Sequence, residues 1–179
     1  MRTYIRDRTD GACYFLTLNL LNRQSDLLTR HIEELRFAYR KTQHHMPFTL
    51  NAMVVLPDHV HLLLTLPEGD HDYAKRIKCL KGQFSRQIPK TEFINDSRAN
   101  KGERGIWQRR YWEHRIRDEL DYQRHFDYIH YNPVKHGHVF RASDWLYSTF
   151  RQYTMQGVYP LDWVNEGVAE IDVVGESNI

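Results

Sequence analysis

An α+β fold is predicted for this chain, in the order strand, helix, strand, strand, helix, strand and then one additional helix. Three observations carry that prediction. Four segments are apolar or alternate with a period of two, as buried and half-buried strands do. Three others repeat apolar residues three and four apart, as amphipathic helices do. Turn-forming groups such as Pro57-Asp58 and Pro67-Glu68-Gly69-Asp70 stand between them.

Ala12 to Leu20 (Ala-Cys-Tyr-Phe-Leu-Thr-Leu-Asn-Leu) reads as the first strand, and the polar Asn22 to Asp26 as a turn. Leu28, Ile32, Leu35 and Tyr39 then share one helical face, with Glu33, Glu34, Arg36 and Arg40 outside it. That helix runs out near His44-His45, before Pro47. Phe48 to Leu56 and His59 to Leu66 form a hairpin around Pro57-Asp58. The second helix carries Tyr73, Ile77, Leu80, Phe84 and Ile88 at helical spacing, with Lys75, Lys78, Lys81 and Arg86 on other faces, and Pro89 ends it. Thr91 to Gly105 is polar and reads as a mobile surface loop. Trp107 to Ile116 alternates enough for a fourth strand. Asp118 caps a third helix through Tyr122, Phe126 and Ile129, expected to stop at Asn132 because Pro133 follows. The order is that of a ferredoxin-like split βαβ antiparallel sheet with two helices on one face.

A chain of 179 residues is long enough for one domain with a real core, and a mean hydropathy of -0.69 fits a soluble globular protein. No apolar run approaches the roughly 18–20 residues of a membrane span, and the charged N-terminus leads into no signal-peptide core. Cys13 and Cys79 lack zinc spacing and read as plain core thiols in a reducing cytoplasm. No membrane partner is expected. Net charge is only +2, but no Lys or Arg occurs after Arg151, where Asp162, Glu166, Glu170, Asp172 and Glu176 follow. A basic body with an acidic end is the asymmetry of a polyanion binder carrying a competing segment. The expected division is one domain over 1–163 and an acidic tail over 164–179.

His59-Val60-His61 places two imidazoles on one face of an apolar strand, roughly 6.5–7 Å apart along the backbone. Neutral imidazole is a common metal ligand, and a buried strand holds polar rings only where they are satisfied. Val60 points to the opposite face. On the third helix Tyr128 lies about 200° from Phe126 and is expected on a polar ridge with Arg124 and Asn132. As a plain structural residue it would be a surface tyrosine. As a functional one it would be a nucleophile, with Asn132 one turn away completing a cation site with His59 and His61.

These residues resemble a known family. His59-Val60-His61 is similar to the His-hydrophobic-His signature of the HUH endonucleases. Asp127-Tyr128-Ile129-His130-Tyr131-Asn132-Pro133-Val134-Lys135-His136-Gly137 resembles the tyrosine motif of the REP-associated tyrosine transposases, single-tyrosine relatives of insertion-sequence transposases. The stretches Asn51 to His61, Trp107 to His114 and Ser143 to Trp145 also resemble that family, from about Tyr4 to Trp163. The resemblance implies cleavage of single-stranded DNA beside a hairpin of a repetitive extragenic palindrome. It implies Tyr128 as nucleophile, a 5′-phosphotyrosine intermediate and a free 3′-OH. It also implies His59, His61 and Asn132 on a divalent cation, Mg²⁺ or Mn²⁺, and no small-molecule cofactor. The REP-associated branch is expected to act as a monomer in the cytoplasm, at the nucleoid.

Single strands are held by positive grooves and aromatic stacking. The candidates for DNA contact are Arg6, Arg8, Lys78, Trp107, Arg109, Arg110, Lys135 and His136, with core packing the alternative for Trp107 and Trp112. A reading from another class is a non-catalytic single-stranded DNA- or RNA-binding module on the same fold. A phosphodiesterase with paired His-x-Thr motifs is disfavoured, since no second copy of the motif occurs. If the acidic tail competes with DNA, truncation after Trp163 raises DNA affinity and cleavage rate several-fold at low salt. Unchanged values in a filter-binding and cleavage assay would rule the competition out.

Overall fold

The computed structural model describes residues 7–164, so Arg6 and the acidic stretch 165–179 lie outside the described residues. Strand β1 spans Cys13–Asn19, β2 Thr49–Val55, β3 His59–Thr65 and β4 Trp112–Arg115. They form one antiparallel sheet in the order β2-β3-β1-β4, the ferredoxin-like order. Helices are α1 Leu27–Arg30, α2 Ile32–His45, α3 Tyr73–Gln87, α4 Asp96–Ala99, α5 Glu119–Lys135 and α6 Phe150–Met155. Among the described residues no helix is long and apolar enough to cross a membrane.

The strand period of two splits the core into two layers. Tyr14, Leu16, Leu18, Val60, Leu62 and Leu64 pack against α2 and α3 through Leu35, Ala38, Ile77, Leu80 and Phe84. Phe15, Ala52, Val54 and Leu63 face the other way, onto Phe126, Tyr128 and Ile129 of α5 and onto Phe150 and Tyr159. The additional helix therefore covers the face opposite α2 and α3. Full burial of such side chains contributes about 1.5–3 kcal/mol each.

Four local expectations change. The first predicted helix is broken at His31 (φ −111°, ψ 42°), between α1 and α2. The Leu28 N–H bonds Pro57 O at 3.1 Å, which ties α1 to the β2–β3 turn. The stretch 91–105 is pinned rather than loose. Buried Arg98 donates to Arg104 O (3.0 Å) and Trp107 O (3.1 Å), and Arg104 pairs with Glu92. The fourth strand is shorter than predicted. Trp107 makes a lone bridge to Leu20, Gln108 N–H bonds Asn19 O at 3.0 Å, and regular pairing resumes only at Trp112.

The fourth change is that α5 does not stop at Asn132 but carries Pro133 inside it. Pro133 gives up one donor, yet the last turn closes around it. His136 N–H reaches Asn132 O (3.0 Å), Gly137 N–H reaches Val134 O (2.9 Å) and His138 N–H reaches Pro133 O (2.9 Å). Gly137 adopts φ +69°, the left-handed position that this cap requires.

Behind α5 the His130 ring is fully buried. Nε2 lies 2.8 Å from Thr149 Oγ1 and Nδ1 lies 3.3 Å from Tyr159 OH. Burial pushes its pKa down to about 3. A folded-state value below the unfolded one means that the unfolded chain takes up the proton first as pH falls. Stability from this group is complete above about pH 6.5 and is lost below it. At pH 5 the loss is about 2 kcal/mol. Urea unfolding at pH 7 and pH 5 should show that difference in the wild type and a shallower dependence in His130→Gln.

Candidate active site

The site is built on β3, one of the two strands paired on both sides. His59 sits opposite Asn19, and His61 opposite Thr17 on one side and Val54 on the other. Both rings point to the α5 face and are 2 % and 0 % exposed. Their centroids are 4.9 Å apart, edge to face. Each Nδ1 has a fixed partner. Asp58 Oδ1 lies 2.7 Å from His59 Nδ1, and Asp58 Oδ2 is in turn 3.0 Å from Arg23 Nε. Thr17 Oγ1 lies 2.9 Å from His61 Nδ1.

A carboxylate on Nδ1 selects the tautomer whose lone pair sits on Nε2. Burial lowers the His59 pKa, and Asp58 offsets this only in part, so the ring is held neutral, the form that binds metal. His59 Nε2 is buried without a hydrogen-bond partner. An orphaned buried nitrogen costs about 1–3 kcal/mol, which a cation at that position would relieve.

Tyr128 and Asn132 come from α5, and here the predicted polar ridge is corrected. Tyr128 is 3 % exposed and Asn132 0 %, whereas Arg124 is exposed. The helix is covered by the sheet on one side and by the Phe150 and Tyr159 layer on another, so positions that read as a polar face are interior. The Tyr128 ring is 5.4 Å from that of His61 and 6.0 Å from Phe15. Lys135, two turns along α5, brings Nζ to 3.1 Å from the Tyr128 hydroxyl and 4.7 Å from its ring centre. His136 stands 5.3 Å from His59, ring to ring. His59 and His61 offer two buried imidazole donors, a type that suits a transition-metal dication such as Mn²⁺ better than oxygen-preferring Mg²⁺, and the buried Asn132 carboxamide is the candidate third donor.

The other candidates for DNA contact divide into groups. Arg8, Lys78 and Arg109 line a basic groove of about 980 Å³ beside α3, with Lys75, Lys81 and Arg86. Arg109 is also held by Glu103 at 2.8 Å. Trp107 forms part of the groove wall but is only 7 % exposed and packs 5.6 Å from Phe84, so it is a core residue and not a free stacking platform. Arg110 is exposed and does not line the groove. Lys135 and His136 belong instead to the tyrosine side. The groove lies along α3, on the sheet face opposite the histidines, and Asn19 links the two regions through the backbone: it pairs with His59 across the sheet and its carbonyl accepts the N–H of the groove residue Gln108 at 3.0 Å.

Asp58, Thr17 and Arg23 were not singled out from the sequence. Asp58 was visible as a carboxylate directly before His59. Thr17 had no such signal, because its contact depends on strand register. Residues in these outer positions hold ligands in orientation, and their loss typically costs 10–100-fold in metal affinity. Asp58→Ala should therefore weaken Mn²⁺ binding by about tenfold or more by calorimetry, with Thr17→Val changing it less.

Comparison with known proteins gives the family. The family described as Transposase IS200 like matches residues 12–132. A Haemophilus influenzae relative named for the REP-associated tyrosine transposases is 51% identical over 164 residues, which cover 91% of this chain and 93% of that protein. The REP-associated tyrosine transposase of Escherichia coli is 44% identical over 166 residues, covering 93% of each. A solved REP-associated tyrosine transposase bound to a REP hairpin superposes with a TM-score of 0.85 at 43% identity, covering 100% of this chain and 99% of that one. On these matches the chain belongs to the IS200-like transposase family of enzymes and, within it, to the REP-associated tyrosine transposases.

Proposed function

We propose that this protein nicks and rejoins single-stranded DNA next to a hairpin, using Tyr128 as the nucleophile. The observation that carries the reading is the meeting of Tyr128 with His61 on one buried face, with the Lys135 ammonium on the tyrosine hydroxyl. The Tyr128 oxygen attacks the phosphorus, an O–P bond to tyrosine forms, and the P–O3′ bond breaks. The phenol proton is given up to solvent, and the leaving 3′ oxygen takes one up. The products are a 5′-phosphotyrosine and a free 3′-OH, and attack by that hydroxyl reverses the step without an outside energy source.

Phenol is a weak nucleophile at neutral pH, so the reaction needs the phenolate. Lys135 supplies a cation at that oxygen, which favours the anion by charge and by hydrogen bonding. His59, His61 and Asn132 would hold a divalent cation, which when bound polarises the phosphoryl oxygens. Asp58 and Thr17 keep the two rings oriented. The basic groove beside α3 would hold phosphates of DNA flanking the cleaved strand. The solved relative is described as bound to a REP hairpin, and the same class of ligand is proposed here.

The protein is proposed to act as a monomer, at the nucleoid in the cytoplasm. In support, the outer edge of β2 is already paired within the chain. Val55 N–H bonds Tyr147 O at 2.8 Å and Thr149 N–H bonds Met53 O at 2.9 Å. A sheet edge covered in this way does not recruit a second strand.

Mixing the protein with a hairpin-bearing oligonucleotide and Mg²⁺ or Mn²⁺ should give a covalent protein–DNA adduct on a denaturing gel. Tyr128→Phe should abolish the adduct while leaving hairpin affinity within a few-fold. Cleavage that persists in Tyr128→Phe would remove Tyr128 as nucleophile. Binding without any adduct in the wild type would favour the non-catalytic module.

A further inference from the structure

A second group of metal-binding side chains lies away from His59 and His61. His114 comes from β4, and Asp121 and His125 from the first two turns of α5. Their ligand atoms all lie within 4.8 Å of one another. Among the described residues they are the one such group of three His, Cys, Asp or Glu side chains. Asp121 joins the two rings. Its Oδ2 is 2.8 Å from His114 Nε2, and its Oδ1 is 3.1 Å from His125 Nδ1. The rings stack at 4.7 Å with planes 15° apart, so both donors face the same carboxylate. Phe15 separates this group from the first, 4.8 Å from His125 on one side and 5.4 Å from His61 on the other.

We propose that His114, Asp121 and His125 form a second cation site, for a borderline transition metal such as Zn²⁺ or Co²⁺, that ties β4 to the start of α5. Two nitrogens and one carboxylate oxygen are the ligand type of three-residue zinc sites, with water in the fourth position. The separations of 2.8 and 3.1 Å are hydrogen-bonded ones, shorter than the ~3.4 Å edge of a tetrahedron around an ion at ~2.1 Å, so the three side chains have to spread by a few tenths of an ångström to admit it. Two imidazoles favour Zn²⁺, Co²⁺ or Ni²⁺ over Mg²⁺, which prefers oxygen ligands. The side chains are 21% (His114), 18% (Asp121) and 9% (His125) exposed, so an ion can enter from solvent and keep a water.

The protonation states are favourable. Burial lowers the His125 pKa, which leaves that ring neutral. Burial opposes charge on Asp121, but the His114 and Arg117 hydrogen bonds outweigh it and hold the carboxyl below its usual value. Both rings face Asp121, His114 through Nε2 at 2.8 Å from its carboxylate and His125 through Nδ1 at 2.8 Å from its carbonyl, so an ion entering there takes the place of these hydrogen bonds. The same contacts satisfy all three side chains without an ion, and the test must separate the two cases.

The proposal is independent of the nuclease reading, and its test silences the first site. In full-length protein carrying His59→Ala and His61→Ala, Co²⁺ should bind with one equivalent and give tetrahedral visible absorption bands. Zn²⁺ should displace it, and a hundredfold excess of Mg²⁺ should not. Adding Asp121→Asn or His114→Gln should weaken Co²⁺ binding by roughly tenfold or more. Circular dichroism checks folding. His114→Gln, on a short edge strand, serves if Asp121→Asn unfolds. Absence of the bands in the His59→Ala/His61→Ala protein would overturn the proposal, as would bands that survive His114→Gln.

Discussion

The site depends on the two-residue period of one central strand. β3 is hydrogen-bonded on both sides, to β2 and to β1, so its side chains have only two directions. Val60, Leu62 and Leu64 go to the α2 and α3 layer, and His59, His61 and Leu63 go to the α5 layer. A slip of one residue in register would exchange these sets and bury the histidines among aliphatic side chains with no partner. The register is held at one end by the Leu56 N–H to His59 O bond (2.9 Å) that closes the Pro57-Asp58 turn. The same turn delivers Asp58 to His59. The strand, the turn and the orientation of the first imidazole are thus one construction.

The second half of the site is a helix mounted as a buried element. α5 is packed against β2 and β3 in front and against α6 and Tyr159 behind. His130 reaches Thr149 and Tyr159, and Tyr159 donates to Asp127, the neighbour of Tyr128. These polar contacts fix rotation about the helix axis, which apolar packing alone leaves loosely specified. The angle matters because a nucleophile must meet its target within a narrow cone. The proposed His114, Asp121 and His125 site acts on the same mount from its N-terminal end.

Charge is distributed in a way that net charge conceals. The chain as a whole carries +2, yet one groove gathers Lys75, Lys78, Lys81 and Arg86 from a single helix. Several arginines that look available in the sequence are structural. Arg76 is buried on Asp70 and the Met46 and Pro47 carbonyls, Arg98 on backbone oxygens, and Arg104 on Glu92. Lys75 and Lys78, with a flexible stem and a strongly hydrated charge, face solvent, while these three guanidinium groups take fixed internal positions.

Strand and helix periods, the ferredoxin-like order, the shared face of His59 and His61, and the Tyr128 to Asn132 spacing were all legible in the residues. Each is local, set by backbone geometry over a few positions. The motif around Tyr128 was legible by resemblance. What the residues in isolation did not decide is which polar positions are interior. Tyr128 and Asn132 read as an exposed ridge because a helix seen alone has one apolar stripe, whereas α5 is covered on more than one side. Trp107 was open between stacking on DNA and core packing, and it is core beneath α3. Pro133 read as a stop and is carried within the helix because Gly137 closes the cap. Thr17 on His61, Lys135 on Tyr128 and Asp121 between two histidines are decided by the tertiary structure. Strand register, helix docking and long side chains that fold back bring these groups together, and none of these is encoded within a single period of the chain.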